Sequence, residues 1–153
     1  MQRLTGAALL IALAGPALAD SGWEAFYNPD GPTCFASAQP MVDDAARDDA
    51  VLSVLYRPAD GVFDQISYTG GYALMPGSTV SLEADGTGFT LLTQGNWAWA
   101  SNAKEDSSIV AALSAAGSVT LTGRSADGSE IRDTFDLAGF AAALATARAR
   151  CGG

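Results

Sequence analysis

Short apolar runs recur along the chain, apolar and polar positions alternate within them, and turn-forming residues close each run. Val, Ile, Tyr, Phe and Thr with a period of two suit a half-buried sheet, so these runs predict β-strands. The nine predicted strands are Trp23–Tyr27, Cys34–Gln39, Val51–Arg57, Val62–Tyr68, Thr79–Glu83, Phe89–Thr93, Trp97–Ala100, Ser118–Arg124 and Glu130–Leu137. The pattern therefore predicts an all-β protein, an antiparallel β-sandwich in which each strand has one packed and one wet face.

Turn signals support an antiparallel connection between neighbouring strands. The pair Asp127-Gly128 stands between the last two predicted strands, and Asp85-Gly86 stands between the fifth and the sixth. Asp-Gly favours the tight turns of β-hairpins, because Gly tolerates a positive φ. We therefore expect a hairpin at each place.

Two stretches have apolar residues three and four apart and predict short helices. The first covers residues 106–116, with Asp106 or Ser107 as its N-cap. The second is C-terminal and covers residues 139–151, with Phe140, Leu144, Ala147 and Cys151 on one stripe. Cys151 is therefore expected to face the body of the protein.

Residues 1–19 have the features of a secretory signal peptide. Arg3 supplies a positive start, residues 6–13 are apolar but too few to span a bilayer, and residues 17–19 (ALA) form a small-x-small cleavage site. We expect cleavage before Asp20, although an uncleaved N-terminal anchor is the alternative. Removing these 19 of the 153 residues leaves residues 20–153 as a single domain with no transmembrane segment.

The two cysteines, Cys34 and Cys151, are 117 positions apart and form no C-x-x-C motif. Two thiols in an exported protein normally pair, so a structural disulfide is predicted. Free thiols in a reducing compartment are the alternative, which the signal sequence disfavours.

The charge balance excludes several partners. The chain has 8 Lys and Arg against 17 Asp and Glu, a net charge of −9, which repels nucleic acid and anionic lipid headgroups. Four acidic residues cluster at Asp43, Asp44, Asp48 and Asp49. We interpret them as a solvated loop rather than as calcium ligands, because they lack the D-x-D-x-D-G order of a calcium loop. No metal site is predicted.

The residue types also disfavour an enzyme. The chain has no His, which removes the usual general base and the common triads, and Lys104 is its single Lys. Nucleophile-elbow, P-loop and dinucleotide-binding motifs are missing, so no catalytic residue and no cofactor is predicted. The surviving enzyme class is acid catalysis by paired carboxylates, as in glycoside hydrolysis, but no spacing singles out a pair.

Aromatic residues give the most specific binding hypothesis. Trp97 and Trp99 lie two apart on one predicted strand and share a face, and Tyr68 and Tyr72 flank a Gly-Gly break nearby. An exposed platform of this kind could stack on sugar rings or on a protein. The alternative is that this face is the core, and we expect at least one of the two Trp rings to be buried because large aromatics mostly are.

In its order of motifs, the chain resembles the invasion-associated locus B family of exported bacterial proteins, in its short form. The segments that carry the resemblance are Trp23, Cys34 to Pro40 (CFASAQP), Arg57-Pro58, Gly71-Tyr72, Thr93 to Ala100 (TQGNWAWA), Ile109 to Ala112 (IVAA) and Asp133 to Phe140 (DTFDLAGF). It departs at Ala38, where a Ser is expected, and at residues 126–129, where an arginine-containing turn is expected.

The resemblance implies an immunoglobulin-like β-sandwich, localisation in the periplasm or cell envelope or secretion, and a link to host-cell invasion in pathogenic members. It implies no catalytic activity. The sequence therefore favours a non-enzymatic binding module with an envelope or host-surface partner. The alternatives are a weak carboxylate-based hydrolase of envelope glycans and a purely structural envelope protein.

Overall fold

The computed structural model describes residues 22–41 and 49–152. The predicted signal peptide and cleavage site, and Asp43, Asp44 and Asp48 of the acidic cluster, lie outside these residues.

Nine strands and two α-helices make up the described part of the chain, and each overlaps a predicted element. The strands are β1 (Trp23–Asn28), β2 (Thr33–Ala38), β3 (Val51–Arg57), β4 (Val62–Thr69), β5 (Thr79–Ala84), β6 (Thr87–Gln94), β7 (Trp97–Trp99), β8 (Ser118–Arg124) and β9 (Glu130–Asp136). The helices are α1 (Ala103–Ala115) and α2 (Phe140–Arg150).

All nine strands belong to one antiparallel sheet in the order β1-β2-β3-β4-β7-β6-β5-β8-β9. The sheet curls until its two edges approach each other. The indole N–H of Trp23 on β1 donates to the carbonyl of Asp136 on β9 at 2.6 Å, and the N–H of Met41 donates to the carbonyl of Thr134 at 2.7 Å. The predicted all-β antiparallel fold is confirmed, with the two packed layers formed by one curled sheet.

The core lies inside the curl and follows the alternation of each strand. On β3, for example, Leu52, Val54 and Tyr56 are buried while Arg57 is exposed. Both predicted hairpins are present: Asp85 and Gly86 adopt φ values of 46° and 84° between β5 and β6, and residues 125–129 join β8 to β9.

The two helices cover the inner side of the sheet. The predicted stripe of α2 is confirmed, since Phe140, Leu144 and Ala147 are buried. Cys151 directly follows this helix and forms a disulfide with Cys34 on β2, with Cα atoms 6.0 Å apart. The predicted disulfide is therefore confirmed, and it fastens the C-terminal helix to the sheet.

The predicted cap of α1 is wrong. Its N-cap is Asn102, whose side-chain oxygen accepts from the N–H of Glu105 at 3.0 Å. Glu105 reaches back and accepts from the N–H of Ser101 at 3.1 Å, which completes a reciprocal capping arrangement. Asp106 is instead buried, one turn inside the helix, and accepts from the N–H of Ile66 at 2.9 Å.

Candidate functional site

Strand β7 lies in the middle of the sheet between β4 and β6. Its central residue, Ala98, pairs with Tyr68 on one side and Thr93 on the other, and it is fully buried. Because successive side chains of a strand point to opposite faces, Trp97 and Trp99 must both point outward, away from the core and the helices.

The outward pair forms a near-parallel aromatic surface. The ring centroids of Trp97 and Trp99 lie 6.4 Å apart, and the ring planes differ by 18°. Trp97 is 39% exposed, and Trp99 is half-buried. The expectation that at least one of these rings lies in the core is therefore wrong, and both rings lie on the outer face of the sheet.

Tyr68 does not belong to this surface. It is fully buried, its hydroxyl donates to Asp133 Oδ2 at 2.6 Å, and its ring meets Phe135 edge to face. The residues on either side of it along β4, Ser67 and Thr69, point to the outer face. They pair with Trp99 and Trp97, respectively. The prediction that Tyr68 joins the platform is wrong, because one residue along a strand changes the face.

Tyr72 is exposed but borders a different feature. It lies in the loop after β4 and lines a cavity of about 470 Å³ together with Asp127 in the β8–β9 turn and Glu130 at the start of β9. In that turn Asp127 accepts from the hydroxyl of Ser125 and from the N–H of Ser129, which lowers the pKa of Asp127 to about 2. The structure thus brings Trp97 and Trp99 together and assigns the two tyrosines elsewhere.

Leu92 is a member of the surface that the sequence interpretation missed. It lies on β6 opposite Trp99 and is 52% exposed. The sequence did contain an indication of this position. Leu92 is an apolar residue on the otherwise polar face of β6, between Thr90 and Gln94. We call Trp97, Trp99, Leu92 and their cross-strand partners Ser67, Thr69 and Gln94 the tryptophan face.

The tryptophan face and the positions next to it on β3 and β5 carry no charged residue. One cross-strand row contains Ser53, Ser67, Trp99, Leu92 and Thr79, and the adjacent row contains Val51, Thr69, Trp97 and Gln94. In a chain with a net charge of −9, these two rows offer aromatic and aliphatic surface with hydroxyl and amide groups.

The buried carboxylates have structural partners. Asp133 accepts from Tyr68, and Asp106 accepts from Ile66 on β4. Burial raises the pKa of Asp106 above its ordinary value, and the backbone hydrogen bond opposes that shift. Neither residue lines the Tyr72 cavity or the two further cavities, of about 620 and 440 Å³, that border β1.

Within residues 22–41 and 49–152, no group of three or more Cys, Asp or Glu side chains is placed to hold a metal ion. No helix in the same ranges has the length and apolar character needed to cross a membrane.

No protein-family model and no curated protein matches this chain. Among solved structures, the chain is similar to invasion-associated protein B from Bartonella henselae, with a TM-score of 0.63 and 22% sequence identity. The alignment covers 87% of this chain and 96% of that one. The likeness extends over almost the whole of both chains and shows that they share a fold.

Proposed function

We propose that this protein is a non-enzymatic binding module of the bacterial cell envelope, and that the tryptophan face is its binding surface. The fold shared with invasion-associated protein B supports an exported envelope protein of that kind. The Cys34–Cys151 disulfide supports an oxidising compartment, because such bonds persist outside the reducing cytosol.

The outward-facing Trp pair is the observation that carries the proposal. A Trp side chain can bury 150–250 Å² in a contact, so leaving one 39% exposed on a central strand forgoes stabilisation that the fold could have used. Trp is also enriched among the residues that contribute most to binding energy. A strand that keeps Ala98 inside and both Trp rings outside is arranged for contact with a partner.

Binding to isolated envelopes tests this proposal. The purified protein would be sedimented with envelope preparations and compared with the variants Trp97→Ala and Trp99→Ala. We expect at least a tenfold loss of affinity for each, since a central aromatic contact is worth roughly 2 kcal/mol or more.

Phe63→Ala is the matched control. Phe63 is an exposed aromatic residue on β4, outside the tryptophan face. Its replacement should leave envelope binding unchanged. Equal binding by the parent and both Trp variants would overturn the proposal.

A further inference from the structure

The chemistry around the two Trp rings narrows the class of partner. Between β3 and β5, the residues of the two cross-strand rows that contain Trp97 and Trp99 are uncharged. On the same outer side, Glu24 of β1 is separated from Trp99 by β2, β3 and β4, or roughly 19 Å at the usual strand spacing. A charged partner would find no complementary charge at the centre of this surface.

The groups that are present suit a partner rich in hydroxyls. Gln94 is exposed beside Trp97, and its amide can both donate and accept hydrogen bonds. Ser67 adds a half-buried hydroxyl beside Trp99. A pyranose ring combines an apolar C–H face, which stacks on an aromatic ring, with equatorial hydroxyls that bond to amides and hydroxyls.

The two Trp rings and Leu92 form one extended apolar surface. The two indole planes differ by 18°, and their centroids lie 6.4 Å apart, so the two rings stack into one aromatic surface. Leu92 extends the apolar contact from Trp99 toward β6. The apolar contact surface therefore spans two strands, which suits a ligand that has more than one sugar ring.

We propose that the tryptophan face binds an uncharged glycan chain, with Trp97 and Trp99 contacting the apolar faces of its pyranose rings and Gln94 bonding to their hydroxyls. This inference rests on the proposed function, because it names the partner of the same surface. Anionic glycans are disfavoured by the net charge of −9.

Intrinsic fluorescence provides the test, because the chain has three Trp residues and one is an internal reference. Trp23 is buried, and its indole is bonded to Asp136, so changes on ligand addition report on Trp97 and Trp99. The intact protein would be titrated with cello-, chito- and malto-oligosaccharides, and separately with polygalacturonate and heparin.

We expect a saturable change with at least one neutral oligosaccharide, unaffected by added salt, and none with the two polyanions. Trp97→Ala and Gln94→Ala should weaken that binding tenfold or more, whereas Phe63→Ala should leave it unchanged. Failure of all neutral sugars would overturn the inference.

Separate outcomes distinguish the inference from the proposed function. Envelope binding that needs Trp97 but is destroyed by protease treatment of the envelopes identifies a protein partner, which overturns the glycan and keeps the binding surface. A dimer of this chain that dissociates on Trp97→Ala overturns the glycan as well. If Trp97→Ala retains both envelope binding and sugar binding, the proposed binding surface and the glycan inference are both overturned.

Discussion

Arg148 and Asp64 form an ion pair, with Nη2 of Arg148 2.8 Å from Oδ1 of Asp64. The same carboxylate oxygen accepts from the hydroxyl of Tyr56 at 2.6 Å, and Nε of Arg148 donates to that hydroxyl oxygen at 3.0 Å. These bonds join the last turn of α2 to β3 and β4. Since Tyr56 pairs with Cys34 across the strands, the network and the disulfide hold the same end of the helix.

Replacing Asp64 by Ala should lower the free energy of unfolding by about 1–2 kcal/mol. The change removes the acceptor of two hydrogen bonds, one of them from a charged group. The upper bound is modest because the side chain of Arg148 is 42% exposed and water can replace part of the interaction. Urea unfolding measures the difference.

Asp60→Ala is the control for that experiment. Asp60 pairs with Arg57 at 2.9 Å, but the side chains are 62% and 44% exposed, respectively. We expect a change within about 0.5 kcal/mol. Equal changes in the free energy of unfolding for the two substitutions would show that the Arg148 network stabilises the protein no more than an exposed ion pair does.

Removing the disulfide should destabilise the protein by a few kcal/mol. The bond closes a loop across 117 positions, for which the chain-entropy model gives roughly 5 kcal/mol as an upper value. The double variant Cys34→Ser/Cys151→Ser should therefore melt several degrees below the parent. Calorimetry of the two proteins checks this, and identical melting temperatures would refute it.

Asp106 should make stability depend on pH. Burial raises its pKa in the folded state, so the folded protein holds the proton more tightly than the unfolded chain, whose Asp pKa is about 3.9. Ionisation of Asp106 therefore lowers the stability of the folded protein as the pH rises above about 4. Below that pH the carboxyl group is protonated in both states, and this loss of stability is absent.

Asp106→Asn removes the charge and keeps an acceptor for the N–H of Ile66. We expect the stability of this variant relative to the parent to increase as the pH is raised from 4 to 7. Unfolding both proteins over a pH series measures this. A difference that stays constant, or that falls as the pH rises, would contradict the interpretation.

The elements of this fold could be predicted from local patterns, because a period of two and Asp-Gly turns are properties of neighbouring residues. The cap of α1 was also readable, since Asn102 followed three residues later by Glu105 is a capping signature. The order of the strands in the sheet could not be predicted from local patterns. Strand β7 pairs with β4, which is separated from it by two strands in sequence.

The orientation of the tryptophans depends on that non-local pairing. In the strand Trp97-Ala98-Trp99, the sequence allows either the two Trp residues or Ala98 to face the core, because Ala is acceptable on both faces. Pairing of Ala98 with Tyr68 decides it: Tyr68 is buried and hydrogen-bonded to Asp133, so the same face of β7 must be the inner one. The general tendency of Trp to be buried does not predict which residues of β4 and β7 pair.

The free energy of unfolding of Trp97→Ala, compared with that of Trp23→Ala, shows whether the Trp97 ring lies outside the core. Trp23 is buried and packs edge to face on Phe140, so its loss should cost about 3–5 kcal/mol. Trp97 lies on the outer face, and its replacement should cost about 1 kcal/mol, the value of a cross-strand contact. A cost for Trp97→Ala equal to that for Trp23→Ala would place Trp97 in the core and remove the proposed binding surface.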